Sequence, residues 1–217
     1  MNPAAGLPLA AVPPPLAGLL RVVAAPPACV PWNLDELADL IDAEVLTPAV
    51  VLIGLVARAE GWHVLLTLRR ADLKHHGGQV AFPGGRIDPL DASPLAAVLR
   101  ETAEEVGIDA ARIRPWGWHD PYATITGFRV LPLVAELEPG FDLRLNAHEV
   151  QSAFEAPLRL FRDPQLRRIE RRQFMGRERH SFVFDFNGFR IWGATAAMLV
   201  RLADQLPAAF GDHPGRI

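Results

Sequence analysis

Three glutamates crowd the segment Pro94 to Val106, PLAAVLRETAEEV: Glu101, Glu104 and Glu105. If the segment is helical, residues three and four apart are neighbours, so the three carboxylates share one face. Like charges at that spacing cost roughly 0.2–0.5 kcal/mol per pair on an exposed helix, and roughly 4 kcal/mol at about 4 Å in an intermediate dielectric. Two readings account for the cluster. One is a solvated acidic face with Arg100 as local counter-charge. The other is a seat for a hard divalent cation, since Mg²⁺ takes oxygen ligands, commonly one or two carboxylates together with substrate phosphates. On the second reading the cation would bring these carboxylates against the phosphates of a ligand.

The elements around these acids are marked in the sequence. Ser93 predicts an N-cap, Pro94 suits the first helical position and Gly107 the C-terminal turn. Leu95, Val98, Leu99, Thr102, Ala103 and Val106 repeat at helical spacing, which predicts a core-facing stripe with the glutamates on another face. Upstream, Gln79 to Phe82 reads as a short extended piece running into Phe82-Pro83-Gly84-Gly85. Pro83 keeps Phe82 out of the helical region, and the two glycines let backbone N–H groups approach a metal site or phosphates closely.

In this order the residues resemble the Nudix hydrolase family. Its box is a glycine, five residues, an acid, a spacer, then Arg-Glu-x-x-Glu-Glu-x-Gly and an aliphatic residue. The chain supplies Gly85, Asp91, Arg100, Glu101, Glu104, Glu105, Gly107 and Ile108. It differs in having Asp91 where the box has Glu, a spacer one residue longer, and Thr102 in an aliphatic position. A narrower stretch resembles the coenzyme A pyrophosphatase branch of that family, matched by Leu65, Leu66, Thr67, Arg69, His76, Gly78, Val80, Phe82, Pro83, Gly84 and Gly85. Arg70 stands where the branch has Ser, and Lys74 where it has Arg. Lysine keeps the charge but loses the planar two-pronged donor.

The resemblance implies an α/β fold, an α/β/α sandwich around a mixed β-sheet. It implies that Glu101 and Glu105 bind Mg²⁺ or Mn²⁺, with Glu104 as a further ligand or proton acceptor. Many members use another acid outside the box, and Glu149 in NAHEV, just ahead of an expected strand, is the candidate here. Arg69, Lys74, His76, Gly78 and Phe82 are the substrate-binding candidates, Phe82 doubling as a candidate core anchor. Gly84, Gly85, Arg100 and Gly107 are expected to be structural, with Arg100 pairing with an acid. The implied partner is a small molecule, coenzyme A or a derivative, cut to 3′,5′-ADP and 4′-phosphopantetheine. A Nudix hydrolase for ADP-ribose or another nucleoside diphosphate derivative is one alternative. A non-catalytic nucleotide-binding module is another.

Composition bounds these readings. The 217 residues are 50% hydrophobic, enough for a real core, and predict a proline-rich arm over 1–31, one domain over 32–210 and a tail over 211–217. A net charge of −3 provides no basic field for nucleic acid, so a polyanionic substrate must be held locally. Cys29 is the single cysteine, which excludes an internal disulfide or a cysteine-rich zinc site. Prolines interrupt the apolar residues of the first thirty positions, so neither a secretory leader nor a membrane span is expected, and the protein reads as cytoplasmic. The oligomeric state is left open.

Along the rest of the chain, Asn33 is expected to cap a helix over Leu34 to Ile41. Strands are expected over Ala49 to Val56, His63 to Arg69, Ile113 to His119, Thr126 to Leu137 and Val150 to Ala156. Trp116 and Trp118 should share one strand face against the core. A helical turn at Pro157 to Phe161, a hairpin over Gln165 to Phe189 turning at Asn187–Gly188, and a helix over Ala194 to Leu206 complete the pattern. The arginine-rich run from Arg167, RRIERRQFMGRERH, is interrupted by acids and reads as a solvated hairpin rather than an RNA surface. Ser93 has no histidine at motif spacing and is not expected to be a nucleophile.

Overall fold

The computed structural model describes residues 11–207 and 210. The first ten residues of the expected arm and the tail 211–217 lie outside the described residues. The apolar run AVVLIGLV forms the centre of β1 (Thr47–Arg58), which lies parallel to β7 (Phe128–Leu137) and antiparallel to β2 (Gly61–Arg69). β8 (Val150–Pro157) pairs with β2, and β5 (Ile113–Trp118) pairs with β7. The short β6 (Tyr122–Ala123) also pairs with β7. Side chains alternate across this mixed sheet. Val50, Leu52 and Val56 pack with Val98 and Leu99 of a helix on one face, α3 (Pro94–Val106). Ala49, Ile53 and Leu55 pack with Met198, Leu199 and Leu202 of a helix on the other, α4 (Gly193–Gln205). The result is the expected α/β/α sandwich.

One local feature positions the acids. β1 and β2 pair only across Leu55–Arg58 and Gly61–Val64. Farther along, β3 (Val80–Ala81) takes over the pairing with Thr67 and Leu68 of β2, while β4 (Gly84–Arg86) pairs with Ala49, Val50 and Val51 of β1. The sheet therefore forks, and Phe82-Pro83 crosses the fork. The Leu52 N–H donates to the Pro83 carbonyl at 2.8 Å, and the Thr67 hydroxyl donates to the Ala81 carbonyl at 3.2 Å. These bonds pin the glycine turn directly under α3.

The arm packs on the domain from residue 11 onward. Leu16, in α1 (Pro14–Ala17), and Leu20 are buried, and Arg21 exchanges two backbone hydrogen bonds with Trp118, each 2.8 Å. Gly117 makes that crossing passable: its φ is +155°, and a Cβ there would sit 2.5 Å from the Arg21 carbonyl oxygen. The same place corrects the expectation for the tryptophans. The register shifts between Pro115 and Gly117, so Trp116 joins the core beneath α4 while Trp118 joins the core beneath α3.

Three other expectations change. The helix after Asn33 is only α2 (Leu34–Leu37), and Asn33 does not cap it. Its amide instead exchanges two 2.8 Å hydrogen bonds with the Ala123 backbone, a distant tie that local pattern does not encode. The expected hairpin is two hairpins, joining β9 (Arg168–Phe174), β10 (Arg177–Phe186) and β11 (Phe189–Trp192). Asn187–Gly188 is the second turn; the first is Met175–Gly176, with both residues at positive φ. On α3, Ala103 is exposed and Glu105 is buried, the reverse of the periodic reading, because the chain after β7 folds back over Glu105.

Candidate active site

The helix that carries the acids is fixed at both ends. The Ser93 hydroxyl accepts the Ala96 N–H at 3.1 Å, and Gly107 turns left-handed at φ +71° with its N–H on the Ala103 carbonyl at 3.0 Å. These ends place Glu105 over the forked sheet, with its side chain only 3% exposed. One carboxylate oxygen, Oε2, accepts the Gly84 N–H at 3.1 Å, and the other, Oε1, faces Arg69 Nη1 at 3.4 Å. Burial nevertheless dominates and pushes the Glu105 carboxyl up from its ordinary value of 4.5 to about 7; the Gly84 N–H and Arg69 oppose the shift, and Glu101 and Glu149 add to it. Burial also raises the Glu101 carboxyl, against the pull of Arg100.

The two glycines are required for different reasons. Gly84 holds φ +148°, and a Cβ there would lie 2.3 Å from the Val50 carbonyl oxygen, inside the β1 backbone. A Cβ on Gly85 would lie 2.5 Å from Glu101 Oε1 and 2.7 Å from Oε2. Gly85 thus keeps a space open against that carboxylate.

Arg100 organises the other side of the helix. Its Nε and Nη2 grip Asp91 at 2.9 Å each, Nη1 reaches Glu101 and Glu104 at 3.0 Å each, and Nη2 meets the Arg86 carbonyl at 3.3 Å. The Arg100 guanidinium holds the Asp91 carboxyl below its ordinary range. Asp91 also accepts the Asp88 N–H at 2.8 Å, so the longer spacer closes into its own turn and presents the shorter acid to Arg100. Arg100 therefore makes the acid pairing expected of it. Glu104 is 55% exposed, and its structural contact is with Arg100.

The remaining candidates fall at the rim or in the core. Glu149 directly precedes β8, and its charge adds a little to the upward shift of the Glu101 and Glu105 carboxyls. Arg69 ends β2 against Glu105. From there a loop runs out and back to β3, exposing Lys74 and His76; His76 Nδ1 lies 3.1 Å from Gln79 Oε1, and Gly78, at φ +71°, donates to the Arg69 carbonyl at 3.2 Å. Phe82 is buried in the core beneath α4, so it anchors the turn and has no free ring face for a base. Sequence reading passed over Asn146, whose N–H donates to the Glu105 carbonyl at 2.9 Å. Its signal was an Asn three residues before an acid, the pattern of a turn that caps itself.

The donors suit a hard cation. Glu101 and Glu105 offer carboxylate oxygens with under-compensated charge, and Gly85 leaves room against one of them. Among the described residues, no three His, Cys, Asp or Glu side chains already close on a metal-sized point. The fit is thus to Mg²⁺ or Mn²⁺ held by one or two carboxylates with substrate phosphates completing the shell, rather than to a cage made of protein alone.

A family model for the NUDIX domain matches residues 45–185, which contain all of these groups. The chain is 40% identical over 170 residues to a Cronobacter sakazakii protein named Uncharacterized Nudix hydrolase NudL, covering 76% of this chain and 84% of that one. It is 41% identical over 162 residues to a protein of the same name from Citrobacter koseri, covering 73% and 82%. Among solved structures, an Ap4A hydrolase binary complex from C. elegans aligns with a TM-score of 0.45 and 25% identity over 51% of this chain and 80% of that one.

Proposed function

The chain belongs to the Nudix hydrolase family, and from that premise we propose that it hydrolyses the phosphoanhydride of coenzyme A and its derivatives, releasing 3′,5′-ADP and 4′-phosphopantetheine. The observation that carries this reading is the placement of the stretch from Leu65 to Gly85. It forms the second half of β2, β3 and the start of β4, lies against Glu105 through Arg69 and Gly84, and exposes Lys74 and His76 on the loop between. The positive charges of Arg69, against Glu105, and of Lys74, on the loop that follows it, suit a substrate that carries a further phosphate on its ribose.

On this reading Glu101 and Glu105 hold Mg²⁺ or Mn²⁺, with Glu104 as an outlying ligand. When bound, that ion supplies charge neutralisation on the diphosphate and acidification of water. Glu149 takes the proton from the attacking water: its turn is bonded to the Glu105 backbone through Asn146, and among the described residues its carboxylate has no arginine partner such as Arg100 gives Glu101 and Glu104. Arg69 and the Gly84 N–H hold Glu105 in place. The catalytic unit spans 32–210, with 1–31 as an arm that packs on it from residue 11 onward.

The test is a product analysis by mass. The purified protein is incubated separately with coenzyme A, ADP-ribose and a panel of nucleoside triphosphates, each with Mg²⁺, Mn²⁺ or chelator. Metal-dependent release of 3′,5′-ADP and 4′-phosphopantetheine is the expected result. Turnover of ADP-ribose alone would remove the upstream loop as the reader of the substrate. No turnover of any of them would favour nucleotide binding without hydrolysis.

A further inference from the structure

The acid outside the helix sits on a short turn whose construction is specific. Asn146 engages both sides of the site at once. Its N–H donates to the Glu105 carbonyl at 2.9 Å, its own carbonyl accepts the Glu149 N–H at 3.0 Å and the Val150 N–H at 2.9 Å, and its Oδ1 accepts the His148 N–H at 3.1 Å. Its remaining donor, Nδ2, points to Glu149 Oε1 at 3.4 Å. From the opposite side, the Arg70 N–H donates to the Glu149 carbonyl at 3.0 Å and Arg70 Nη1 to the Ala147 carbonyl at 2.9 Å. Asp72 grips the same guanidinium with two 2.8 Å bonds. The turn is therefore clamped between α3 and the end of β2.

We propose that Asn146 is a positioning residue that registers the Glu149 carboxylate against the Glu105 end of α3. The inference rests on the reading of Glu149 as the proton acceptor of the site. The physical reason is registration. Glu105 reports its position along α3 through its backbone carbonyl, Asn146 reads that position, and the side-chain amide passes it to Glu149. Without the amide, Glu149 keeps its place in the chain but loses the donor that orients its carboxylate, and a proton acceptor displaced by about 1 Å costs rate out of proportion to stability.

The experiment is a double-mutant cycle on the full chain. Asn146→Ala, Asn146→Asp, Glu149→Gln and the two double variants are compared for kcat and KM with coenzyme A, or with ADP-ribose where that is the compound cleaved. Mn²⁺ affinity is measured in parallel by calorimetry. Asn146→Asp is informative because it keeps the oxygen that caps the His148 N–H but replaces the donor with a repelling charge; it also carries the test if Asn146→Ala does not fold. Both single changes should lower kcat about tenfold, the size expected for one hydrogen bond to a charged group, with KM unchanged. In the Glu149→Gln background the same changes should lower kcat less than about twofold. Coupling between positions 146 and 149 in kcat or in Mn²⁺ affinity supports the proposal, and additivity in both overturns it. A fully active Glu149→Gln also overturns it. A wild type that cleaves neither compound would defeat the proposed activity, while the Mn²⁺ cycle would still decide the role of Asn146.

Discussion

The β9–β10 ribbon and the buried end of α3 are both crowded with charge, and they treat it in opposite ways. On the ribbon Arg168 pairs with Asp185 at 2.9 Å and Arg171 with Glu178 at 3.6 Å, Arg190 of the adjoining β11 reaches Glu170 at 2.5 Å, and Arg179 holds Asp39 at 2.6 Å and keeps that carboxyl below its ordinary range. These groups are mostly exposed, where water and salt screen each pair and leave it little effect on stability. At α3, Glu105 is buried with one backbone N–H and one long arginine contact, and burial pushes its carboxyl up to about 7. The fold spends nothing comparable on neutralising it. Charge matched on the surface is ordinary architecture, whereas a buried carboxylate so weakly compensated beside other acids is the feature on which the proposed cation site rests.

Glu105→Gln is the largest test of that contrast. It should reduce turnover by roughly a thousandfold or more, because a ligand and its charge are both lost. The metal-free variant should nevertheless be more stable than wild type at pH 8. The sign follows from the raised pKa. A folded state that binds the Glu105 proton more tightly than the unfolded chain has this contribution in full below about 4.5, and loses it as pH rises through about 7. Urea denaturation at pH 5 and pH 8 should show a difference between the two proteins that grows by up to about 3 kcal/mol toward the higher pH. A constant difference would break the contrast.

Gly85→Ala comes next. It should cut kcat by about a hundredfold, since a displacement of about 1 Å at the centre is enough, while the melting temperature changes little because the added carbon meets the movable Glu101 carboxylate. Arg100→Ala should cost about 1–2 kcal/mol of stability in denaturant titration, since it strands the half-buried Asp91. Arg171→Ala on the ribbon should stay within about 0.5 kcal/mol of wild type and leave kcat unchanged. A large effect there would mean that the ribbon, too, serves the site.

Much of this contrast can be read from residue types. Ser93, Pro94 and Gly107 announce α3 because caps are local chemistry, and Asn187–Gly188 announces its turn for the same reason. The acids and glycines of the site were legible from their order along the chain. The burial of Glu105 was not, because periodicity puts it on the polar face and only β4 and Asn146, brought in from 21 residues before and 41 after, cover it. Met175 gave no sign of its turn, since a methionine is not a usual residue at positive φ. Trp116 and Trp118 part company at a bulge, a feature that alternation alone cannot foresee.

The most direct measurement is a calorimetric Mn²⁺ titration at pH 8 of wild type and Glu105→Gln, with no substrate present. The uncompensated acids predict a saturable site in wild type whose affinity falls at least tenfold in the variant, with both proteins folded by circular dichroism. Equal affinity in the two proteins would contradict the account, because the buried charge of Glu105 would then have no cation to meet.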